Sequence, residues 1–314
     1  MSILLRRLLI LPVLLLVISF FTFLLTNIVP GNIAEDLILR NGGQPTPETI
    51  AAMQVKLGVD QPLLVRYWQW LSSAMHFDLG TSWVSGHDVG KEIVERIKPT
   101  LILTGASISV GVFITIVLGL LAAFYKDTLI DRIILGFSLT MSCIPDFLLS
   151  FVLLFLFGYV WNVFPLVGYG TWEHLVLPSL VLGVGLGAGK ARILRASLLE
   201  VMSLDYVTMA RAKGLSRRKA MFKHAMRNAL IPVVTSLGAS VGFLLGGTVI
   251  IESIFNWPGL GRLGLQAIVS RDIPLLQGYV LFITVIIISV NLIVDLIYLY
   301  LDPRMNSKGG AHHA

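Results

Sequence analysis

The chain has 314 residues, of which 55% are hydrophobic and only 13% are charged, with a net charge of +6. Because an average soluble domain carries about 25% charged residues, this composition leaves too few polar side chains to cover a water-facing surface. It therefore excludes a soluble enzyme, a disordered chain and, since Cys143 is the only cysteine, a scaffold of internal disulfides.

Six stretches are apolar over the length of about 20 residues that a helix needs to cross the membrane hydrocarbon. The first predicted transmembrane helix occupies residues 1–29, and no small-residue cleavage site follows it, so we expect a retained span rather than a secretory signal. The other five are predicted at about 100–125, 133–157, 175–197, 229–251 and 276–300. The sequence therefore predicts an all-α polytopic membrane protein with six transmembrane helices.

Residues 30–98 form the one long segment outside these spans, and we expect a few short helices there. Thr46, between Pro45 and Pro47, marks the start of one of them, because threonine caps helices and proline fits the first turn. Residues 99–302 then make up the transmembrane core.

The distribution of lysine and arginine predicts that both termini are cytoplasmic. In that orientation the two short outer loops hold only Arg262 and Arg271, and most other basic residues fall in inner segments, as the positive-inside rule requires. Residues 30–98 are then extracytoplasmic, 198–231 form a cytoplasmic loop, and 303–314 form a cytoplasmic tail.

The motifs of common enzymes and metal sites are missing from the sequence. The nearest match to a phosphate-binding loop is Gly183–Ala191, but Val184 replaces its first glycine and Ala191 replaces the hydroxyl that would bind magnesium. No zinc-protease motif, paired Cys-x-x-Cys or nucleophile elbow is present. We therefore expect no catalytic residue, no metal site, no bound cofactor and no nucleic-acid partner for this chain.

Glycines spaced four apart in the fourth span indicate close helix packing. Gly183 with Gly187, and Gly185 with Gly189, each place two small residues on one helix face. Small residues let helix backbones approach closely in lipid, so we expect spans four and five to be packed inner helices, against each other or against a partner.

Two acidic residues in or beside the predicted spans need an explanation, because an ionised aspartate at the bilayer centre costs about 2.5–3.5 kcal/mol. Asp146 follows Pro145 in the third span, where a proline can loosen the helix and open a polar pocket. It is either a residue of the transport pathway or a structural, hydrogen-bonded aspartate. Glu252 lies at the outer rim of the fifth span and is expected to hold the turn that follows.

The loop between spans four and five carries the strongest local signals. Ser203 or Asp205 can cap a short helix, and Gly214 can end it in the left-handed conformation. Ser216 can cap a second helix, and Pro232 starts the fifth span. The predicted product is a helical elbow, which either fits a groove on a partner or is merely a basic surface loop.

The residues of this elbow resemble the coupling loop of bacterial ABC importer permeases for dipeptides, oligopeptides and nickel. The resemblance covers essentially the whole chain. The matching coupling-loop residues are Asp205, Tyr206, Ala210, Arg211, Ala212, Lys213, Gly214 and Leu215. Further matching blocks are Pro30-Gly31, the outer-turn residues Glu252, Trp257, Pro258, Gly259 and Gly261, and Asp302-Pro303-Arg304. One departure is that Thr208-Met209-Ala210 stands where the general permease motif begins Glu-Ala-Ala.

The resemblance implies the type I ABC importer permease architecture in a bacterial inner membrane. It implies a second, homologous permease that pairs with this chain as a heterodimer. It also implies two cytoplasmic ATPase subunits that use ATP and magnesium, and an extracytoplasmic substrate-binding protein. In that assembly the coupling loop would sit in an ATPase groove, and the outer turn would be structural.

Short stretches similar to nickel permeases make nickel or a metal chelate the first expectation for the cargo. These stretches are Gln44–Glu48, Tyr169–His174, Gly246–Glu252 and the Ala-His-His-Ala tail. Peptide permeases carry similar stretches, so di- or oligopeptides remain the alternative. A remote alternative is an ion-coupled transporter that uses Asp146 and Asp295 as a relay.

Overall fold

A computed structural model of the chain describes residues 3–28 and 32–301. The predicted blocks Pro30-Gly31 and Asp302-Pro303-Arg304, the tail 303–314 and the side chain of Asp295 lie outside what it describes. The described residues form fourteen α-helices: α1 (Ile3–Ile28), α2 (Ile33–Arg40), α3 (Pro47–Leu57), α4 (Leu63–Met75), α5 (Val89–Phe124), α6 (Leu129–Cys143), α7 (Asp146–Leu153), α8 (Trp172–Met202), α9 (Asp205–Ala212), α10 (Arg217–Ala220), α11 (Met226–Gly247), α12 (Val249–Ile254), α13 (Leu260–Val269) and α14 (Ile273–Leu301).

The all-α class and the number of spans agree with the sequence prediction. Five stretches of the described chain are helices long and apolar enough to cross a membrane. They are Leu11–Ile28, Val89–Phe124, Trp172–Met202, Arg217–Gly246 and Ile273–Val294. A sixth span results if α6 and α7, which meet at an angle of 105°, cross the membrane together.

The third predicted span is not one continuous helix over 133–157, and this part of the prediction is wrong. α6 ends at Cys143, and the backbone at Ile144 is extended, with φ −73° and ψ 124°. A residue before proline avoids the helical region because the proline ring clashes with it, so Pro145 forces the break. α7 then restarts at Asp146 and continues as a π-helical segment over Leu154–Val160.

The cytoplasmic loop also differs from its prediction in two details. Neither Ser203 nor Asp205 caps α9, because Leu204 occupies the cap position and the Ser203 hydroxyl donates to the carbonyl of Glu200. Pro232 does not start the fifth span, because α10 passes through a π-helical turn directly into α11, which contains Pro232. The second arm of the elbow is therefore continuous with the span.

Three short helices, α2 to α4, occupy the segment before α5. The predicted start at Thr46 is confirmed, since its hydroxyl accepts a hydrogen bond from the Thr49 amide and α3 begins at Pro47. α4 lies against α1, where the Tyr67 ring makes edge contacts with Phe20 and Phe23. α5 begins at Val89, ten residues before the predicted core.

The described residues divide into two compact units. The first holds the residues up to Lys98 together with Gly259–Ile288, and its core contains Val89, Ile93, Leu263 and Ala267. The second holds Pro99–Pro258 and the described residues from Ser289 onward. Its buried residues form two clusters, which are centred on opposite halves of α8 and include Val181 and Leu198 respectively.

One of the two predicted glycine pairs makes the close helix contact expected of it. A Cβ on Gly183 would lie 2.5 Å from the Cγ1 of Val110, and one on Gly187 would lie 2.7 Å from the carbonyl oxygen of Gly111. Because real Cβ atoms do not approach so closely, α8 packs against α5 only with glycine at both positions.

Candidate functional site

A cleft of about 320 Å³ opens in the second unit at the bend between α6 and α7. Ser142 and Asp146 line it on either side of the bend, Lys190 and Arg192 line it from α8, and Ser240 lines it from α11. The break at Pro145 makes Asp146 the first residue of α7 and directs it towards α8. The sequence singled out Asp146 but gave no reason to group it with these partners.

The second glycine pair, Gly185 and Gly189, faces this cleft. A Cβ on Gly185 would lie 3.4 Å from the Oδ1 of Asp146, and one on Gly189 would lie 3.8 Å from the Oγ of Ser142. These are ordinary van der Waals distances, so this pair makes no close helix contact within the described chain, and packing of this pair against a partner stays a prediction. The two glycines instead leave room between α8 and the bend.

The charged groups of the cleft have no partners within the described part of the chain. No hydrogen bond or ion pair there engages the carboxylate of Asp146 or the ammonium of Lys190, and the buried Nε of Arg192 also lacks an acceptor. Ionisable residues in a membrane helix usually face a water-filled cavity and mark a pathway. Lys190 and Arg192 line the same cleft as Asp146.

A neighbouring buried charge pair has the opposite character. Asp131 of α6 is only 2% exposed and accepts two hydrogen bonds from Arg195 of α8, at 2.7 Å and 2.6 Å. Such a bidentate pair satisfies both charges and joins the two helices. Sequence reasoning missed it, although an aspartate and an arginine near the ends of two apolar stretches were the available signal.

The end of α9 confirms the predicted role of Gly214. Gly214 has φ +94°, a left-handed conformation that favours glycine. Its amide donates to the carbonyl of Arg211, and the Leu215 amide donates to the carbonyl of Ala210. These two bonds form the Schellman motif that ends a helix and satisfies its last carbonyls.

The elbow is fixed to the ends of the spans around it. Val207 is fully buried in a cluster with residues of α8 and α11. Arg217 donates to the carbonyl of Ala123 at 3.1 Å, and the Arg218 guanidinium lies 4.7 Å from the ring centre of Phe124. α5 ends at Phe124, so these two contacts connect the elbow to the end of this span.

The opposite side of α9 is exposed. Met209 is 68% exposed, and Leu204 and Tyr206 are also exposed large side chains. Arg211, on the same short helix, and Lys213, which directly follows that helix, are also exposed. The elbow therefore exposes apolar and basic side chains on one side, while its other side packs against α5, α8 and α11.

The predicted outer turn is held by buried hydrogen bonds. Glu252 is fully buried, and its carboxylate accepts hydrogen bonds from Thr100 at 2.8 Å and Thr248 at 3.1 Å. Trp257 donates its indole N–H to the carbonyl of Pro99 at 2.9 Å, while its backbone amide donates to the carbonyl of Glu252.

The remaining outer-turn residues follow along the chain. Pro258 ends the second unit, and Gly259 caps α13 in an extended conformation. Gly261 is buried within α13. Among the described residues, no three His, Cys, Asp or Glu side chains are grouped so that they could hold a metal ion.

Comparison with known proteins identifies the chain's relatives. Residues 115–307 match the family model of the binding-protein-dependent transport system inner membrane component, and residues 1–104 match the N-terminal model of such membrane components. The glutathione transport system permease protein GsiC of Salmonella choleraesuis (strain SC-B67) is 39% identical over 304 residues, covering 97% of this chain and 98% of the relative. The same protein of Escherichia coli (strain K12) is 38% identical over 303 residues, covering 96% and 98%.

Solved structures support the fold. A structure of the MetNI methionine ABC transporter in an inward-facing conformation matches with a TM-score of 0.56 and 18% identity, covering 67% of this chain and 96% of that one. An amino acid ABC transporter matches with a TM-score of 0.52 and 16% identity, covering 66% and 93%.

These findings define the class of protein as the permease subunit of an ABC importer, a multi-pass protein of the inner membrane and not an enzyme. More particularly, the chain belongs to the family of binding-protein-dependent transport system inner membrane components. The family resemblance, the fold class and the membrane location predicted from the sequence are confirmed. A subunit of this class works with ATPase and substrate-binding partners, and the ATPase partners hydrolyse the ATP.

Proposed function

We propose that this permease imports short peptides or peptide-like molecules such as glutathione. The observation that carries the proposal is the near-full-length similarity to glutathione permeases, with 38–39% identity over at least 96% of the chain. Glutathione is a tripeptide, so these relatives favour the peptide alternative over nickel. The nickel hypothesis was based on short sequence stretches and gains no support from these relatives.

We also propose that the elbow, residues 198–231, docks its exposed face into an ATPase groove. The exposed Met209 beside Arg211 and Lys213 suits a groove with apolar walls and an acidic rim. The anchoring of Arg217 and Arg218 to the end of α5 supports a rigid-body transmission of ATPase closure. This role requires the predicted orientation, with both termini and the elbow in the cytoplasm.

The assembly follows from the same reasoning. A second, homologous permease would pair with this chain, two ATPase subunits would bind from the cytoplasm, and a binding protein would deliver the cargo from outside. Asp146 would belong to the pathway, because it lines an open cleft without a partner in the described chain. The residues of the outer turn would be structural, because Glu252 and Trp257 are fully engaged in buried hydrogen bonds.

The cargo proposal is tested by uptake in cells that lack this gene. Labelled glutathione, a labelled dipeptide and labelled nickel, the last with and without histidine as chelator, are compared before and after the gene is restored. Loss and recovery of glutathione or dipeptide uptake alone would support the proposal. Loss and recovery of nickel uptake alone would overturn it and return the cargo to a metal or its chelate.

The docking proposal is tested by cross-linking in a Cys143→Ser background. A cysteine at Met209, labelled with a photoreactive thiol reagent, is expected to cross-link to an ATPase subunit of the assembled importer. Met75, which is 65% exposed on α4, provides a matched control whose cysteine variant should give no such product. Equal cross-linking from both positions would contradict the assignment.

A further inference from the structure

The spacing of charges along α8 is the starting point. The Asp146 carboxylate lies beside Gly185, at 3.4 Å from where a Cβ would stand. Arg192 follows Gly185 by seven residues, which is about two turns and about 10 Å along the same face of the helix. Lys190 is about 7.5 Å farther along the axis than Gly185. The cleft is thus lined by one negative charge and two positive charges, and the backbone positions of the two basic residues lie about 7–10 Å farther along α8 than Gly185.

This backbone offset is similar to the distance between the ends of a short peptide. An extended chain spans about 3.3–3.6 Å per residue, so two to three residues span about 7–11 Å. The volume of about 320 Å³ falls at the lower end of the range found for small-molecule sites, about 300–1,000 Å³. A di- or tripeptide therefore fits both the size and the polarity of the cleft.

We infer that the cleft recognises a zwitterionic peptide by its two ends. Asp146 receives the α-ammonium group, and Arg192 with Lys190 receives the terminal carboxylate. This inference rests on the proposed peptide cargo and assigns residues to its recognition inside the membrane.

The electrostatics favour a zwitterion over a simple cation. A ligand with both charges places an opposite charge beside Asp146 and another beside the two basic groups, whereas a bare metal cation would satisfy Asp146 and be repelled by Lys190 and Arg192. The remaining lining is largely aliphatic and includes Leu182, Leu186 and Leu244. Such walls accept varied cargo side chains, so the ends of the peptide carry the recognition.

The test uses the complete importer in proteoliposomes with its binding protein, at cargo concentrations that saturate that protein. Uptake is measured for glutathione, N-acetylglutathione and the glycine ethyl ester of glutathione. If the uptake experiment above identifies a dipeptide as cargo, alanyl-alanine and its two blocked forms replace these probes. The wild type is expected to import the free form about tenfold faster than either blocked form.

Each variant is expected to remove the preference for one free end of the peptide, either the amine or the carboxylate. Asp146→Asn is expected to slow the free form about tenfold and leave the N-acetyl form unchanged, so the preference for a free amine disappears. Arg192→Gln should remove the preference for a free carboxylate in the same way. Asp146→Glu should keep the wild-type pattern. Asp127→Asn, at an exposed surface position, controls for the loss of a negative charge.

Two failures are distinguishable. If the wild type imports neither glutathione nor a dipeptide, the proposed function itself is wrong. If it imports all three forms at equal rates, or if Asp146→Asn slows all three equally, the peptide function stands and the assignment of the cleft is overturned. Co-purification of the ATPase subunits shows whether a variant has assembled. If a variant fails to assemble, the relative uptake rates of the three forms by the wild type still test the assignment of the cleft.

Discussion

Replacing Gly214 with valine is the sharpest test of the elbow. Gly214 has φ +94° and ends α9 with the two hydrogen bonds of a Schellman motif. Nothing lies within 4 Å of where its Cβ would stand, so the substitution acts through the backbone alone. A β-branched residue in this conformation costs about 1–3 kcal/mol. α9 has only eight residues and little intrinsic stability to offset that cost.

A shift of about 2 kcal/mol changes the ratio of docked to undocked elbow roughly thirtyfold. We therefore expect Gly214→Val to lower cargo uptake by about tenfold or more at unchanged membrane insertion. ATP hydrolysis per imported molecule should rise. Both rates are measured in proteoliposomes that contain the complete importer.

Gly214→Asn is the matched control, because asparagine tolerates the left-handed conformation and also ends helices in this way. It should retain most of the uptake that the valine variant loses. Normal uptake by Gly214→Val, or equal loss in both variants, would refute the reasoning.

Three further predictions concern stability, measured as the midpoint of thermal unfolding in detergent. Asp131→Asn leaves the buried Arg195 without its charged partner and should lower the free energy of unfolding by about 3–5 kcal/mol. The double variant Asp131→Asn, Arg195→Gln should regain part of this loss. If the single variant loses less stability than the double variant, the pair does not stabilise the fold. Gly187→Ala should destabilise by about 1–3 kcal/mol, because its methyl group would lie 2.7 Å from a backbone oxygen of α5, while Gly189→Ala should be nearly neutral. Trp257→Phe keeps an aromatic ring but loses the bond to the Pro99 carbonyl and leaves a cavity where the larger indole was buried, so it should cost at least about 1 kcal/mol; an unchanged midpoint would show that neither this bond nor the packing of the indole holds the turn.

Local rules predicted the elbow well because its features are local. The conformation of Gly214 and the cap at Ser216 depend on a few neighbouring residues, and both occur as expected. The same rules did not predict that α10 runs into the fifth span, because a proline inside a helix is tolerated when packing supplies the missing stability. They predicted that Pro145 loosens the helix of the third span, but not that the helix ends there and restarts as α7.

The sequence by itself determined the class of the protein and its spans. Hydropathy is a sum over contiguous residues and needs no tertiary contact, so the predicted spans other than the third, which is broken at Pro145, coincide with the long apolar helices. Only the tertiary structure decided which charges meet. Asp131 is neutralised by Arg195, whereas Asp146, Lys190 and Arg192 line one cleft without a partner among the residues that the structure describes. That outcome depends on the bend at Pro145 and on the packing of four helices, because residues far apart in the chain become neighbours only through those contacts.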